Sequence, residues 1–366
     1  MRILTVIPEL GAGGAEVVAV TLARAAAGDG HEARIASAPG FRVAEILAAG
    51  IAHTTLPAVG RRPRDLARSV ARLRRVPAPD LVHAHNPKAA LLSRLAYGHR
   101  VPLLVTLHGV AGHELGAAVR ILRWAADQVV VVSPHLREQL TGRGFPADRV
   151  TVIPNGVARL PSYPRRRARA ELGIAPGEVV ALCPARLVDQ KRHDLLVEAW
   201  AALATHDRPP LLLLAGDGPN RARIAAAVAR HDLDDRVRLL GERADMPRLV
   251  AASDLLTLAT DWEGLPIAVL EALGAGLPVV ISEVPGIAHQ FGDAVHAVRP
   301  GSAADLATGL RAVLGDAGRR DRLSARASAA FDQRFGAAPM IARYRALHSA
   351  MTGSSVRIPT TTGVSP

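Results

Sequence analysis

The stretch from Asp261 to Gly286, DWEGLPIAVLEALGAGLPVVISEVPG, constrains the fold of this chain more than any other. It follows a mainly apolar run, Asp254 to Thr260, which we interpret as a buried strand. An acidic loop, a helix of about ten residues, a glycine break and a second apolar strand come next. Two short apolar strands joined by a helix are typical of a parallel sheet that is covered by helices on both faces.

The start of this predicted helix has the features of a phosphate site. In a doubly wound sheet, ligands bind outside the carboxyl ends of the strands, where the next helix begins. The backbone N–H groups of Gly264, Leu265 and Ile267 would be unpaired donors there, and the helix dipole favours an anion. Pro266 supplies no N–H group, which suits the first turn of a helix.

Two glutamates beside this site need a separate explanation, because a carboxylate repels phosphate. We interpret Glu263 and Glu271 as hydrogen-bond acceptors for hydroxyl groups. The alternative is that Glu263 complements the helix dipole and that Glu271 is a solvated helix residue. For either glutamate alone both interpretations stay open, whereas the complete pattern of strand, turn, spacing and glycine exit favours a binding site.

The pattern E-G-L-P-x-x-x-x-E-A-x-x-x-G-x-P-V-V resembles the E-x7-E motif of the retaining nucleotide-sugar glycosyltransferases of family 4. The similarity runs over nearly the whole chain. It implies an α/β chain with the GT-B fold, in which two Rossmann-like doubly wound domains enclose an interdomain cleft. It also implies transfer of a sugar with retention of anomeric configuration, without a bound metal or a cofactor, since the nucleotide sugar is a co-substrate.

Length and composition set wider limits. The 366 residues suggest two domains with ample core. Cys183 is the only cysteine and no apolar run is long enough to span a bilayer, so we expect a cytoplasmic protein. The net charge of +12 invites a nucleic-acid partner, but no zinc finger, recognition helix or aromatic-basic strand is visible. We therefore expect no nucleic-acid partner.

The densest basic segment is Arg61 to Arg75, with seven arginines and one acid, Asp65. As a helix it would present a basic face suited to anionic lipid. A helix that is merely solvated is the alternative, and both interpretations remain open. If this helix binds lipid, we expect the protein to contact the inner face of the plasma membrane peripherally.

The N-terminal half contributes a glycine turn and a histidine. Gly13 and Gly14 follow the first strand, and a glycine pair lets the backbone approach a phosphate or sugar. A tight strand-to-helix turn is the alternative, and the spacing does not match a dinucleotide-binding fingerprint. In the resembled family this glycine loop faces the donor. His85 and His108 both follow strands, and the T-x-H-G segment ending at Gly109 matches the family motif whose histidine lies by the donor hexose, which favours His108.

The C-terminal half contributes cations and turns. The segment Ala185 to Arg192 resembles the family motif G-R-L-x-x-x-K-G, with Ala185 and Arg192 in place of glycines. The resemblance puts Arg186 and Lys191 on the donor diphosphate, where cations stabilise the departing nucleotide. It likewise implies donor contacts at three further positions in the turns after the later strands: Gly216, Gly241 and Arg243.

These patterns predict four segments. We expect an N-terminal acceptor-side domain at 1–158 and a C-terminal nucleotide-sugar-binding domain at 159–335. A helix at 336–352 should cross back to the first domain, and a disordered tail should occupy 353–366. The predicted function is transfer of a hexose-type sugar, with a UDP-sugar as the expected donor, to a hydroxyl acceptor of unknown class. A nucleotide-sugar epimerase of the same fold and a non-catalytic nucleotide-sugar binder are the alternatives.

Overall fold

The computed structural model of the protein describes residues 1–57, 63–203 and 209–353. The first part of the chain forms a parallel sheet with strand order β3-β2-β1-β4-β5-β6-β7. Its strands are β1 (Arg2–Glu9), β2 (Glu32–Ala38), β3 (Ala52–Thr55), β4 (Leu81–Ala84), β5 (Leu103–Leu107), β6 (Gln128–Val131) and β7 (Val150–Val152). Helices cover it: α1 (Gly14–Gly28), α2 (Arg42–Ala48), α3 (Pro63–Leu73), α4 (Pro87–Tyr97), α5 (Leu115–Ala125) and α6 (Pro134–Thr141).

The second part forms another parallel sheet, with strand order β10-β9-β8-β11-β12-β13. Its strands are β8 (Val180–Pro184), β9 (Leu211–Ala215), β10 (Val237–Gly241), β11 (Leu255–Leu258), β12 (Val279–Ser282) and β13 (His296–Val298). Its helices are α7 (Arg165–Glu171), α8 (His193–Leu203), α9 (Arg221–Arg230), α10 (Met246–Ala252), α11 (Ile267–Gly274), α12 (Ile287–Phe291), α13 (Ala303–Leu314), α14 (Ala317–Ala330) and α15 (Ala337–Thr352).

Both sheets follow from the sequence pattern, because strands buried on two faces must be apolar along their whole length. The interior strand β9 illustrates this: Leu211 to Leu214 are all completely buried. Polar residues begin where strands end and helices start. Asn86 caps α4, with its side chain accepting the N–H of Ala89 at 2.7 Å. The expected α/β architecture of two Rossmann-like lobes is thus confirmed.

The strand order fixes where ligands can bind. In the first sheet the order reverses between β1 and β4, and in the second it reverses between β8 and β11. Such reversal points leave a crevice at the carboxyl ends of the strands, where the flanking connections diverge. The loops after β1 and β4 face those after β8 and β11 across a cleft between the two lobes.

The last helix, α15, packs against α1 and β4 of the first lobe. The chain crosses between the lobes at Val157 and Phe335, where the N–H of Val157 donates to the carbonyl of Phe335 at 2.9 Å. Tyr344 of α15 is buried, and Arg345 forms two hydrogen bonds of 2.6 Å with Asp29 at the end of α1. This helix ties the two lobes together.

Two short edge strands, β3 and β13, were not predicted from the sequence. β3 reads AHTT and β13 reads HAV, and neither carries the apolar run that identifies the central strands. Edge strands bury less side-chain surface, so their sequences are less constrained. The predicted disordered tail lies, except for Gly353, outside the described residues, as do Arg61 and Arg62 of the basic segment.

Candidate active site

A cleft of about 990 Å³ separates the lobes and brings together residues that are far apart in sequence. Of the thirteen predicted site residues, twelve line it: Gly13, Gly14, His108, Arg186, Lys191, Gly216, Arg243, Glu263, Gly264, Leu265, Pro266 and Glu271. The thirteenth, Gly241, is not among the residues that line the cleft. Its φ of 71° makes the turn that brings the next two residues, Glu242 and Arg243, to the surface of the cleft.

The turn between β11 and α11 presents free backbone donors. The N–H groups of Gly264, Leu265 and Ile267 donate to no group in the described part of the chain. A Cβ atom on Gly264 would overlap the carbonyl oxygen of His108 in the other lobe. Glycine is therefore required here by the close approach of the two lobes, and the free N–H groups make the start of α11 suited to an anion.

Lys191 and Glu263, which we assigned separately to phosphate and sugar, form a direct ion pair between Nζ and Oε1. The lysine side chain is 15% exposed and the glutamate side chain only 7%. Thr260 Oγ1 lies 3.0 Å from the same carboxylate oxygen. Glu263 Oε2 has no hydrogen-bond partner among the described residues, so it is the oxygen available to a ligand hydroxyl.

Gln190 connects the loop that carries Lys191 to the loop that carries Glu263. The N–H of Asp261 donates to the carbonyl of Gln190 at 3.0 Å, and Gln190 Nε2 donates to the carbonyl of Trp262 at 2.7 Å. This role could not be predicted from the sequence, because the partners are about seventy residues apart. The two loops consequently form one rigid unit.

The positive charge of Arg186, in the second lobe, acts on the carboxylate of Glu16, in the first lobe. Arg186 is exposed at the cleft and forms no ion pair with a described residue. Glu16 lies in the first turn of α1, and a Cβ atom on Gly13 would overlap its carboxylate. Burial raises the pKa of Glu16, while a hydrogen bond from its own backbone N–H and the charge of Arg186 oppose that rise. Sequence reasoning missed this carboxylate, which covers the start of α1.

Glu271 lies on α11 and lines the cleft with no hydrogen-bond partner among the described residues. Burial raises its pKa to about 7, and the guanidinium of Arg42 in the first lobe opposes the rise. A buried carboxylate with free oxygens suits a pair of ligand hydroxyl groups. Arg42 itself donates to the carbonyl of Gly11 at 3.0 Å and to Glu45 at 3.0 Å.

The glycine turns after β9 and β10 mainly shape the wall. A Cβ atom on Gly216 would overlap the carbonyl oxygen of Ala185, so this position lets two loops pack closely. Arg243 is held by Asp245 through two hydrogen bonds of 2.7 Å. Glu242 Oε1 accepts the N–H of Ala12 in the other lobe at 3.0 Å, which closes this end of the cleft.

His108 directly follows β5 and lines the cleft. Burial lowers its pKa to about 4, so the ring is neutral near pH 7. Its Nε2 lies 3.0 Å from Nδ1 of His85, the second histidine that the sequence singled out. A neutral imidazole at this position can exchange hydrogen bonds with a ligand but carries no charge to balance phosphate.

Arg192 replaces the glycine of the family motif and adopts the left-handed conformation, with φ 36° and ψ 44°. Its side chain pairs with Asp194 at 3.0 Å and with Asp261 at 3.0 Å. A left-handed non-glycine residue is strained by about 1–3 kcal/mol. The ion pairs therefore hold a backbone conformation that this residue type disfavours.

We expect Arg192→Gly to change the free energy of unfolding by less than about 1 kcal/mol, because relief of strain offsets the lost, half-exposed ion pairs. Arg192→Ala should be less stable than Arg192→Gly by about 1 kcal/mol, since it loses the pairs and keeps the strain. Urea unfolding of both variants checks this. Equal stability of the two variants would contradict a strained backbone at Arg192.

Comparison with known proteins places this geometry in a family. The model for "Glycosyl transferases group 1" matches residues 164–330. The model for "Glycosyltransferase Family 4" matches residues 12–159. Together the two matches take in both lobes and nearly all of the cleft-lining residues.

Individual relatives agree with these matches. The chain is 26% identical over 283 residues, 74% of each protein, to N-acetyl-alpha-D-glucosaminyl L-malate synthase of Bacillus anthracis. It is 31% identical to 2-deoxystreptamine glucosyltransferase of Streptomyces kanamyceticus, over 57% of this chain and 49% of that protein. The match to UDP-Gal:alpha-D-GlcNAc-diphosphoundecaprenol alpha-1,3-galactosyltransferase of Escherichia coli is 28% identical over 57% of this chain and 58% of that one.

Solved structures share the fold. Anabaena Alr3699/HepE in complex with UDP and glucose superimposes with a TM-score of 0.83 at 23% identity, over 96% of this chain and all of that one. WaaG, a glycosyltransferase involved in lipopolysaccharide biosynthesis, superimposes with a TM-score of 0.76 at 20% identity over the same shares. With two family models matching its two lobes, this chain belongs to the family 4 type of glycosyltransferase with the GT-B fold.

Proposed function

We propose that this chain is a retaining hexosyltransferase that uses a UDP-sugar as donor and a hydroxyl compound as acceptor. The observation that carries the proposal is the convergence of Arg186, Lys191 and Glu263 with the free N–H groups at the start of α11 in one cleft. The choice of a UDP-sugar as donor is supported by a structural neighbour in complex with UDP and glucose, and by a relative named for a UDP-galactose donor.

Each group has a distinct task in the proposed reaction. Arg186 and Lys191 stabilise the negative charge that develops on the departing diphosphate. Glu263 accepts a hydrogen bond from a sugar hydroxyl through its free Oε2, and Glu271 accepts hydrogen bonds from the ribose. His108 orients the sugar from the opposite lobe. The acceptor attacks the face of the sugar that the diphosphate leaves, and a phosphate oxygen takes the proton of the acceptor hydroxyl.

A screen of nucleotide sugars tests the donor assignment. We expect UDP-sugars to raise the melting temperature most, because a ligand that binds only the folded state stabilises it. Transfer of labelled sugar from the stabilising donor distinguishes a transferase from the alternatives. Conversion of one nucleotide sugar into another would indicate an epimerase, and binding without turnover in the presence of varied acceptors would indicate a sensor.

A membrane-surface acceptor is a further part of the proposal, and it rests on α3. The apolar side of this helix, Leu66, Val70 and Leu73, packs into the first lobe, whereas Arg68 and Arg75 are exposed. Trp124, nearly half exposed on α5, lies beside the C-terminal end of α4, the helix against which α3 packs. Within the described residues no helix is long and apolar enough to cross a bilayer. An arginine-rich face beside an exposed tryptophan suits the surface of an anionic bilayer.

We expect Arg68→Gln with Arg75→Gln to weaken binding to vesicles of phosphatidylglycerol and phosphatidylcholine by about 30-fold, from about 1 kcal/mol per arginine. Co-sedimentation measures this. The matched control replaces two exposed arginines of the second lobe, Arg166 and Arg230, and should bind as the unmodified protein does. An equal loss of vesicle binding in both double variants would show that only net charge matters. Absence of vesicle binding by the unmodified protein would contradict a membrane-surface acceptor.

A further inference from the structure

A row of three histidines extends from the cleft into the first lobe. The ring of His85 packs between those of His108 and His83, with centroid distances of 5.3 Å and 4.4 Å. His83 and His85 are 1% and 2% exposed, and burial lowers the pKa of each well below its usual value. All three rings are therefore neutral near pH 7. No group of three metal-ligating side chains is arranged to hold a metal ion within the described residues.

The hydrogen bond between His85 Nδ1 and His108 Nε2 fixes the tautomers of both rings together, because one nitrogen must donate and the other must accept. The outer nitrogens, His85 Nε2 and His108 Nδ1, are buried and have no partner among the described residues. Whichever ring donates, one of these outer nitrogens carries a hydrogen for which the described residues supply no acceptor.

The position of the two rings decides between the tautomers. A buried N–H without an acceptor costs about 1–3 kcal/mol. Both rings line the cleft, but His85 is 2% exposed and packs between two other rings, whereas the ring of His108 is partly exposed, so a sugar hydroxyl in the cleft can approach it. We therefore assign the hydrogen to His108 Nδ1, with His85 Nδ1–H donating to His108 Nε2.

The ring of His83 is fixed by a second chain of hydrogen bonds that ends on α15. His83 Nε2 lies 2.8 Å from Thr106 Oγ1, which lies 2.9 Å from the hydroxyl of Tyr344. Tyr344 is 1% exposed, and its ring centroid is 5.3 Å from that of His83. The helix that ties the lobes together thus also holds the last ring of the row.

We propose that His85 is a positioning residue that holds His108 as an Nδ1–H donor toward the sugar, and that Tyr344 of α15 supports it through Thr106 and His83. The inference rests on the proposed function, since it assumes that His108 faces the donor sugar. It extends that function to a residue of the cleft wall and to a helix outside the cleft. The role differs from packing alone, because it depends on a donor at one ring nitrogen.

Two substitutions of His85 separate donation from packing. Asn places an amide N–H close to the position of Nδ1, whereas Leu fills the space without a donor. We expect His85→Leu to lower kcat by about 10-fold, in the range of other groups that orient a functional histidine, with the KM for the donor unchanged. His85→Asn should keep most of the activity, and Tyr344→Phe should show a smaller loss than His85→Leu.

A double-mutant cycle with His108→Ala provides the second readout. If His85 acts through His108, adding His85→Leu to His108→Ala should cause no further loss. His348→Asn is the matched control, because this ring meets His83 edge-on at 5.4 Å without a hydrogen bond to it, and it should leave kcat unchanged. Equal impairment by Asn and Leu, or the same loss in both backgrounds, would overturn the proposal.

Nitrogen-15 NMR of the histidine rings tests the tautomer without any turnover. The unmodified protein should show His108 protonated at Nδ1, and His85→Leu should mix the two tautomers. A His108 ring protonated at Nε2 in the unmodified protein would overturn the assignment. Failure of the proposed function would instead appear as absence of sugar transfer by the unmodified protein, with the NMR result standing independently.

Discussion

Replacing Lys191 with alanine is expected to lower kcat by about 10²–10³ and to destabilise the protein by about 3–5 kcal/mol. The catalytic loss follows because one of the two cations proposed to bind the diphosphate is removed. The loss of stability follows because Glu263, 7% exposed, would keep a buried charge without its partner. Steady-state kinetics and urea unfolding measure the two effects separately.

Arg186→Ala is the matched control for this variant. Arg186 is exposed and has no ion pair among the described residues, so its loss should reduce kcat with little change in unfolding. Adding Glu263→Ala to Lys191→Ala should restore much of the stability while activity remains lost, since no charge is then left unpaired. An unchanged free energy of unfolding for Lys191→Ala would contradict a buried ion pair between Lys191 and Glu263.

Replacing Glu271 with glutamine is expected to stabilise the empty protein at alkaline pH while it weakens donor binding. Burial raises the pKa of Glu271 from 4.5 to about 7. Below pH 4.5 the carboxyl is protonated in both the folded and the unfolded chain, and it contributes no pH dependence. Between pH 4.5 and 7 only the unfolded chain has lost the proton, so the free energy of unfolding falls as pH rises. Above pH 7 the full cost, about 3 kcal/mol, is present.

Glutamine removes this cost because it never ionises. Urea unfolding should therefore show Glu271→Gln about 3 kcal/mol more stable than the unmodified protein at pH 8.5, and nearly equal to it at pH 4.5. Loss of charged hydrogen bonds to the ribose should raise the KM for the donor by about 10- to 100-fold. Glu198→Gln, on the exposed side of α8, is the control and should change neither quantity. A pH-independent difference in stability would contradict a buried, protonated Glu271.

The order of elements around the site could be predicted from the sequence because its signals are local. The β11–α11–β12 unit follows from two apolar runs, a proline at the helix start and a glycine exit, all within a short stretch. The structure trims the expected strand Asp254 to Thr260 to Leu255–Leu258, since the Asp254 side chain accepts the N–H of Val180 and Thr260 Oγ1 donates to the carbonyl of Gln190 in the next loop. Capping by Asn86 is a local signal of the same kind.

Contacts between distant segments could not be predicted in the same way. Nothing in the sequence pairs Lys191 with Glu263, or His85 with His108, until the sheet order is known. The overlap of a Cβ at Gly264 with the carbonyl of His108 depends on how close the lobes lie. For Arg192 the missing glycine was visible, but the left-handed backbone was not.

The central step of the proposed reaction is transfer of a sugar from a nucleoside diphosphate with retention of anomeric configuration. Proton NMR of the first-formed product, from a UDP-α-hexose and the acceptor that supports turnover, reads the configuration of the new bond. An α-linked product, formed by the unmodified protein and lost in Arg186→Ala, is the result expected here. A β-linked product, or undiminished turnover in Arg186→Ala, would contradict it.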